Sequence, residues 1–341
     1  MTRRKIMERD STIEVRVSLP VTQRAKGVKK NGKLVELVFK TSLGFWAIFL
    51  GLVFPIAVFV ILAKESWLSI SKFGLGFITG TTWDPVKLIF GGLPAIYGTL
   101  LITSLAILMA TPISIGISIF ITELAPKWFK PIVTSAIELL AAIPSIIYGM
   151  WGFFVFVPYM AKHVEPFLIN NFSHLPVIGF LFSGVPSGID AFTTSIVLSV
   201  MIIPFMAAVA KDSFNMVPSI IKESAYGLGA TKWEVMRKVV IPYTASGIAG
   251  GLILAIGRAL GETMAVTFLA GNNPQIPKSL FVPLTTITVA LANQFTEADT
   301  DLYLSSLYYL AIILFVLSFI VLVTAKLMVL RIEKKWKARQ A

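Results

Sequence analysis

The sequence predicts an all-α membrane protein with six transmembrane helices and both termini in the cytoplasm. Three observations carry that expectation. Hydrophobic residues make up 56% of the 341-residue chain and charged residues only 14%, whereas soluble domains carry about 25% charge. Six segments are apolar over the roughly 20 residues that a bilayer crossing needs. Of the 30 Lys and Arg, 24 fall in segments that six spans would place inside and 5 in segments placed outside, the asymmetry of the positive-inside rule.

The elements follow in order. Residues 1–40 form a basic tail with 11 basic and 4 acidic side chains, expected to lie in the cytoplasm and touch anionic lipid. Within it, GVKKNGKL (27–34) fits the first seven positions of a phosphate-binding P-loop. Leu34 stands where Ser or Thr should hold magnesium, and no buried strand precedes it, so no nucleotide site is expected. The tail is too long for a signal-peptide n-region and no A-x-A-like site follows the first span, so no cleavage is expected.

The first span is 41–63, followed by an outer loop, 64–92. The second is 93–122, where Pro112 predicts a kink, and the third is 132–158, with Glu138 and Pro144 inside it. Residues 167–189 read as an interfacial loop, broken by Asn, His, Pro and Gly. Spans four to six are 191–210, 243–270 and 302–325, and a basic tail, 329–341, closes the chain inside. The 17 uncharged residues 279–295 tempt as a seventh span. That would carry the basic C-terminal tail outside, against the charge rule.

Composition also excludes functions. The chain has no Cys, so thiolate metal sites, disulfides and cysteine nucleophiles are ruled out. His163 and His174 are too few and too isolated for a histidine-built metal site. The net charge of +12 flanks spans rather than forming a groove-reading surface, so no nucleic-acid partner is expected.

The loop 211–242 carries the densest local signals. Pro218 suits the first turn of a helix, SIIKESAYGL continues it, and Gly229 supplies the left-handed residue that ends it. Thr231 and Glu234 form a T-x-x-E capping box for a second helix, WEVMRKVVI, expected to stop before Pro242. Ser224, Ala225 and Gly227 leave a nearly flat patch suited to docking in another protein's cleft. Ala225, Gly229 and Val235 also fall at helix-turn-helix spacing, but such a module needs a core of its own, which about 30 residues tethered between spans cannot supply.

This loop resembles the EAA motif of ABC importer permeases, EAA-x3-G-x9-I-x-L-P. Glu223, Ala225, Gly229 and Pro242 stand at matching positions; Ser224 replaces the second Ala, and Val239 and Ile241 replace Ile and Leu. GRALGETMAV (257–266), GGLPAIYGTL (91–100), ITELAP (121–126) and IELLAAIPSIIYGMWG (137–152) are similar to the PstC-type permease of the phosphate-specific transport system. The likeness extends over about residues 80–328, with an importer transmembrane domain expected at 93–328.

The resemblance implies the type I ABC importer permease fold in a bacterial or archaeal cytoplasmic membrane. It implies a homologous PstA-type permease as partner, two ATPase copies docked at the coupling loops, and an extracytoplasmic phosphate-binding protein. ATP and magnesium would be used by the ATPase, and this chain would bind no cofactor and catalyse no covalent chemistry.

Arg258 and Glu262 are the only charges between Tyr243 and Gly271. On one continuous helix they would share a face one turn apart, with Arg258 about 22 Å along from Tyr243, near the bilayer centre. Charged residues at that depth line a path rather than face lipid. Arg258 offers a fork of donors matched to an oxyanion; Glu262 would offset its charge and accept the proton that phosphate carries and sulfate lacks. Glu138 is a third candidate, lining the path or snorkelling to the interface. Two alternatives stand beside a phosphate permease: a permease for another small oxyanion, and an ion-coupled secondary transporter, against which the protruding loop argues.

Overall fold

The computed structural model describes residues 36–340; the P-loop-like stretch and most of the basic N-terminal tail lie outside them. By internal contacts the chain divides into two units, Met1–Val58 and Phe59–Ala341. The described part of the first is helical, and that helix, α1 (Glu36–Glu65), continues into the second.

Within the second unit, α2 (Trp67–Phe73) leads to a two-stranded antiparallel hairpin, β1 (Trp83–Asp84) and β2 (Ile89–Phe90). A helix and a hairpin thus occupy the segment expected as a loop. They pack on the last helix, α12 (Asp301–Gln340). The Ser69 N–H donates to Ser305 Oγ at 3.0 Å, its hydroxyl lies 3.1 Å from that of Ser306, and Tyr309 donates to the Gly74 carbonyl at 3.0 Å. Phe77, Phe90 and Tyr303 fill the space between.

The centre of the unit is α3 (Leu93–Leu124) against α6 (Ala191–Asn215) and α9 (Ala245–Leu260). Ala106, Ala110, Ser114 and Ser118 recur every fourth residue along α3 and are fully buried. Such a stripe lets helices approach closely where lipid gives no hydrophobic drive. Ser114 donates to the Ile203 carbonyl (3.2 Å) and Ser118 to that of Ala207 (2.9 Å), tying α3 to α6. Helix α3 runs unbroken through Pro112.

Four helices, α1, α3, α6 and α12, are long and apolar enough to be the expected first, second, fourth and sixth spans. The count reaches six if each of two bent pairs is one span, the second of which covers 232–260 where 243–270 was expected. The bends are findings that hydropathy missed. Helices α4 (Lys130–Ala142) and α5 (Ser145–Phe172) meet at 91°. Ile143, with ψ at 129°, is extended, because the ring of Pro144 disfavours a helical residue before it.

Helix α7 (Ser219–Gly227) precedes α8 (Lys232–Tyr243), which meets α9 at 70°. The second loop helix therefore does not stop before Pro242. A π-helical turn, Met236–Val240, widens the helix ahead of the proline, and the turn comes at Thr244. The segment 279–295 holds only an eight-residue helix, α11 (Ile287–Gln294), too short for a span.

Gly98 marks the tightest approach in this core. A Cβ there would lie 2.0 Å from the Thr285 carbonyl oxygen, whereas at Gly116 of the same helix nothing lies within 4 Å. Gly98→Ala is expected to cost about 1–3 kcal/mol through overpacking against a backbone that cannot rotate away. Gly116→Ala should leave thermal stability in detergent unchanged, and equal melting of the two variants would contradict the packing.

A buried acidic pair fixes the start of α6. Asp190 caps it, accepting from the Thr193 N–H at 2.8 Å. Glu165 accepts from the Gly188 N–H at 3.1 Å and the Thr193 hydroxyl at 3.3 Å. Burial, together with the neighbouring Glu165 carboxylate, pushes Asp190 up to about 8, against the lowering effect of the Thr193 N–H. The folded protein therefore keeps a proton that the unfolded chain has released. Stability should decline as pH rises from about 4 to about 8 and level off above it. In Asp190→Asn the decline across this window should flatten, as read by melting temperature against pH.

Candidate functional site

The Arg258 and Glu262 segment is not one helix. Helix α9 ends at Leu260, Gly261 to Thr263 are irregular, and a short helix, α10 (Met264–Leu269), follows. The two side chains therefore do not share a helical face, and none of the ion pairs among the described residues involves either of them. Each instead sits at the helix end that suits its sign. Arg258 lies in the last turn of α9, where unsatisfied carbonyls favour a cation. Glu262 accepts from the Ala265 N–H at 3.3 Å in the first turn of α10, where free N–H groups favour an anion.

Glu262 is nearly buried. With Thr99 and Thr103 of α3 and with Thr286 and Thr288 it lines a narrow cavity. Thr288 donates to the Glu262 carbonyl at 2.8 Å, and Thr99 accepts from the Ile287 N–H at 3.0 Å. Thr288 thus satisfies a carbonyl at the helix break, and Thr99 an N–H at the start of α11, that would otherwise be left unpaired in an apolar setting. No charge or motif on the sequence marked them; their role shows only in three dimensions.

The Arg258 guanidinium faces Phe205 of α6, its central carbon 6.0 Å from the ring centroid. Its Nε is buried and has no hydrogen-bond partner among the described residues. An unpaired buried donor on a cation is costly in isolation, and a planar oxyanion edge is its natural complement. Broken helices of this kind put irregular backbone where it lines a cavity.

Glu138 is placed elsewhere. Its carboxylate lies 3.5 Å from Lys211 Nζ, and its side chain is 61% exposed. Lys211 is six residues beyond Phe205 on α6, about 9 Å of helix. Glu138 thus ties α4 to the far end of α6 and is not brought to Arg258.

The loop 211–242 forms as its caps dictate. Gly229 has φ of +85°, and the Leu228, Gly229 and Ala230 N–H groups bond back to Ser224, Tyr226 and Ala225. Thr231 and Glu234 make the reciprocal capping box. The Thr231 N–H and the Lys238 ammonium hold the Glu234 carboxyl down to about 2.

Glu223, Ser224, Gly227 and Gly229 are exposed at the tip, with Ile220, Leu228 and Trp233 beside them. Ala225 is not part of that patch. It packs inward on Phe214, Val217, Val235 and Met236, so its small size serves the joint between α7 and α8. Pro242 is half-buried, away from the tip. Among the described residues no cluster of three metal-ligating side chains occurs.

Residues 113–334 match the model of a family described as the binding-protein-dependent transport system inner membrane component. The phosphate transport system permease protein PstC of Pasteurella multocida is 52% identical over 312 residues, spanning 92% of this chain and 97% of that protein. Its Haemophilus influenzae counterpart is 48% identical, spanning 89% and 96%. A probable phosphate transport permease of Methanocaldococcus jannaschii is 38% identical over 74% of this chain and 81% of its own length. Among solved structures, a bacterial alginate ABC transporter chain aligns with a TM-score of 0.57 at 19% identity, over 91% of this chain and 98% of that one. A chain of the MetNI methionine ABC transporter aligns at 0.54 and 13%, over 74% and 99%. At these identities the likeness is one of fold.

Proposed function

The chain belongs to the binding-protein-dependent transport inner membrane family, in its PstC-type branch, and on that premise we propose that it is the permease subunit through which an ATP-driven importer moves inorganic phosphate into the cell. The observation that carries the substrate assignment is Arg258, a cation at a helix break whose buried Nε has no hydrogen-bond partner among the described residues. A guanidinium held this way binds an oxyanion through parallel N–H donors. Glu262 across the break keeps the net charge low, so that the anion can leave. It also accepts the proton of hydrogen phosphate, which a fully ionised sulfate cannot offer. Glu138 serves the scaffold of this path rather than its lining.

The path lies between this chain and a homologous PstA-type permease. A phosphate-binding protein delivers the anion from outside, and two ATPase subunits dock from the cytoplasm, one of them on the tip formed by Glu223, Ser224 and Gly229. The positive-inside asymmetry supports a cytoplasmic location for both termini and the 211–242 loop. ATP and magnesium are bound by the ATPase, and this chain performs no covalent chemistry.

Uptake of labelled phosphate by cells lacking the gene tests the proposal. Loss of high-affinity phosphate uptake with sulfate uptake intact, and recovery on restoring the gene, is expected. Unchanged phosphate uptake, or a selective loss of another oxyanion, would overturn it.

A further inference from the structure

The inner face of α7 carries one charge that the docking tip does not use. Lys222 Nζ lies 2.5 Å from Glu123 Oε1, at the end of α3, and both side chains are largely buried, 19% and 14% exposed. Lys222 and Glu123 stand 99 residues apart in sequence. The Glu123 end of α3 is braced twice more: Ile115 and Ile119 pack on the cluster of Phe214, Val217, Val235 and Met236 that holds α7 and α8 together. Lys130 Nζ donates to the neighbouring Thr122 carbonyl.

The other end of α3 reaches the candidate site. Thr103 and Thr99 line the cavity beside Glu262, 20 and 24 residues before Glu123, or about 30–36 Å along the helix. Helix α3 is continuous over that whole length and is bonded to α6 on the way through Ser114 and Ser118. A continuous helix fixed at both ends passes on a displacement; a loop would absorb it.

We propose that the Lys222–Glu123 ion pair is a positioning contact that transmits movement of the α7 helix along α3 to the Glu262 cavity, and so couples the ATPase to the path. This rests on the reading of the 211–242 loop as the ATPase-docking element. The pair sits in a low-dielectric joint, where its attraction is stronger than at a surface. Each residue's loss leaves its partner's charge half-buried and unpaired, so the joint loosens while the tip remains intact. Neither side chain touches the anion.

The test uses the complete importer in proteoliposomes, with Glu123→Gln, Lys222→Met and the exchange Glu123→Lys with Lys222→Glu. The readout is stimulation of ATP hydrolysis by the phosphate-loaded binding protein, alongside the amount of ATPase subunit retained. Each single substitution is expected to lower stimulation by about five-fold or more, the scale of coupling mutations away from either ligand, with the ATPase subunit still bound. The exchange is expected to restore stimulation to within about two-fold.

Singles with wild-type stimulation would overturn the proposal. So would singles that shed the ATPase subunit, because the pair would then only build the docking surface. An exchange as inactive as the singles would remove the ion-pair basis. Failure of the phosphate assignment is seen separately: the wild-type complex would respond to its binding protein yet take up no labelled phosphate.

Discussion

Arg258→Gln is expected to lower phosphate uptake by at least about 100-fold, the scale of losing a charge-assisted contact worth about 3 kcal/mol. The assembled complex should persist, with its ATPase subunits bound. The reason assembly should survive lies in how the two charges are held. Glu262 makes no direct ion pair with Arg258; it accepts from the Ala265 N–H at the start of α10, and that bond remains. Gln keeps polar donors beside Phe205 but loses the charge and the fork. Exchanging the two residues tests the same point from the other side. If they were a simple ion pair, Arg258→Glu with Glu262→Arg would preserve the attraction and restore uptake. At the observed break the exchange sets a carboxylate against the carbonyl end of α9 and a guanidinium against the N–H end of α10, both unfavourable. The exchanged protein is expected to stay inactive, and full activity would defeat the ligand role of Arg258.

How the charges are arranged was beyond the reach of spacing alone. An i, i+4 relation has meaning only on a continuous helix, and hydropathy is blind to direction, so 243–270 looked like one span. A local signal was nevertheless there: Gly261 followed by Thr263 before an apolar run combines a helix stop with a helix start. Ile143 before Pro144 was likewise a legible boundary that apolarity masked. The chain ends of the spans were read better, since 191–210 lies within α6 and 302–325 within α12. The coupling loop was the most legible part because its signals act over four residues or fewer. Gly229 and the Thr231–Glu234 box formed where the sequence put them. The side that Ala225 faces was not legible, since small size suits a docking patch and a packed joint equally. Nor were the threonines around Glu262 or the partner of Lys222, which depend on segments distant in sequence.

Gly229→Val is expected to reduce ATPase association and phosphate uptake together, while the protein still reaches the membrane in normal amount. A Cβ at Gly229 would meet nothing within 4 Å, so the substitution introduces no clash with neighbouring atoms. Its effect is confined to the backbone: φ of +85° is reached freely by Gly and only with strain by a β-branched residue. That strain is of the order of 1–3 kcal/mol, small enough for the six-span fold to survive. It is also large enough to change the turn, because it falls on the bonds from Leu228, Gly229 and Ala230 back to α7. Once φ turns negative, α8 leaves α7 in a new direction and the exposed Glu223, Ser224 and Leu228 lose their relation to Trp233. Gly229→Asn provides the graded control, because Asn tolerates the left-handed region better than Val. It should retain most of the association that Val loses. Wild-type uptake and association in Gly229→Val would show that this turn is not the element on which the ATPase docks.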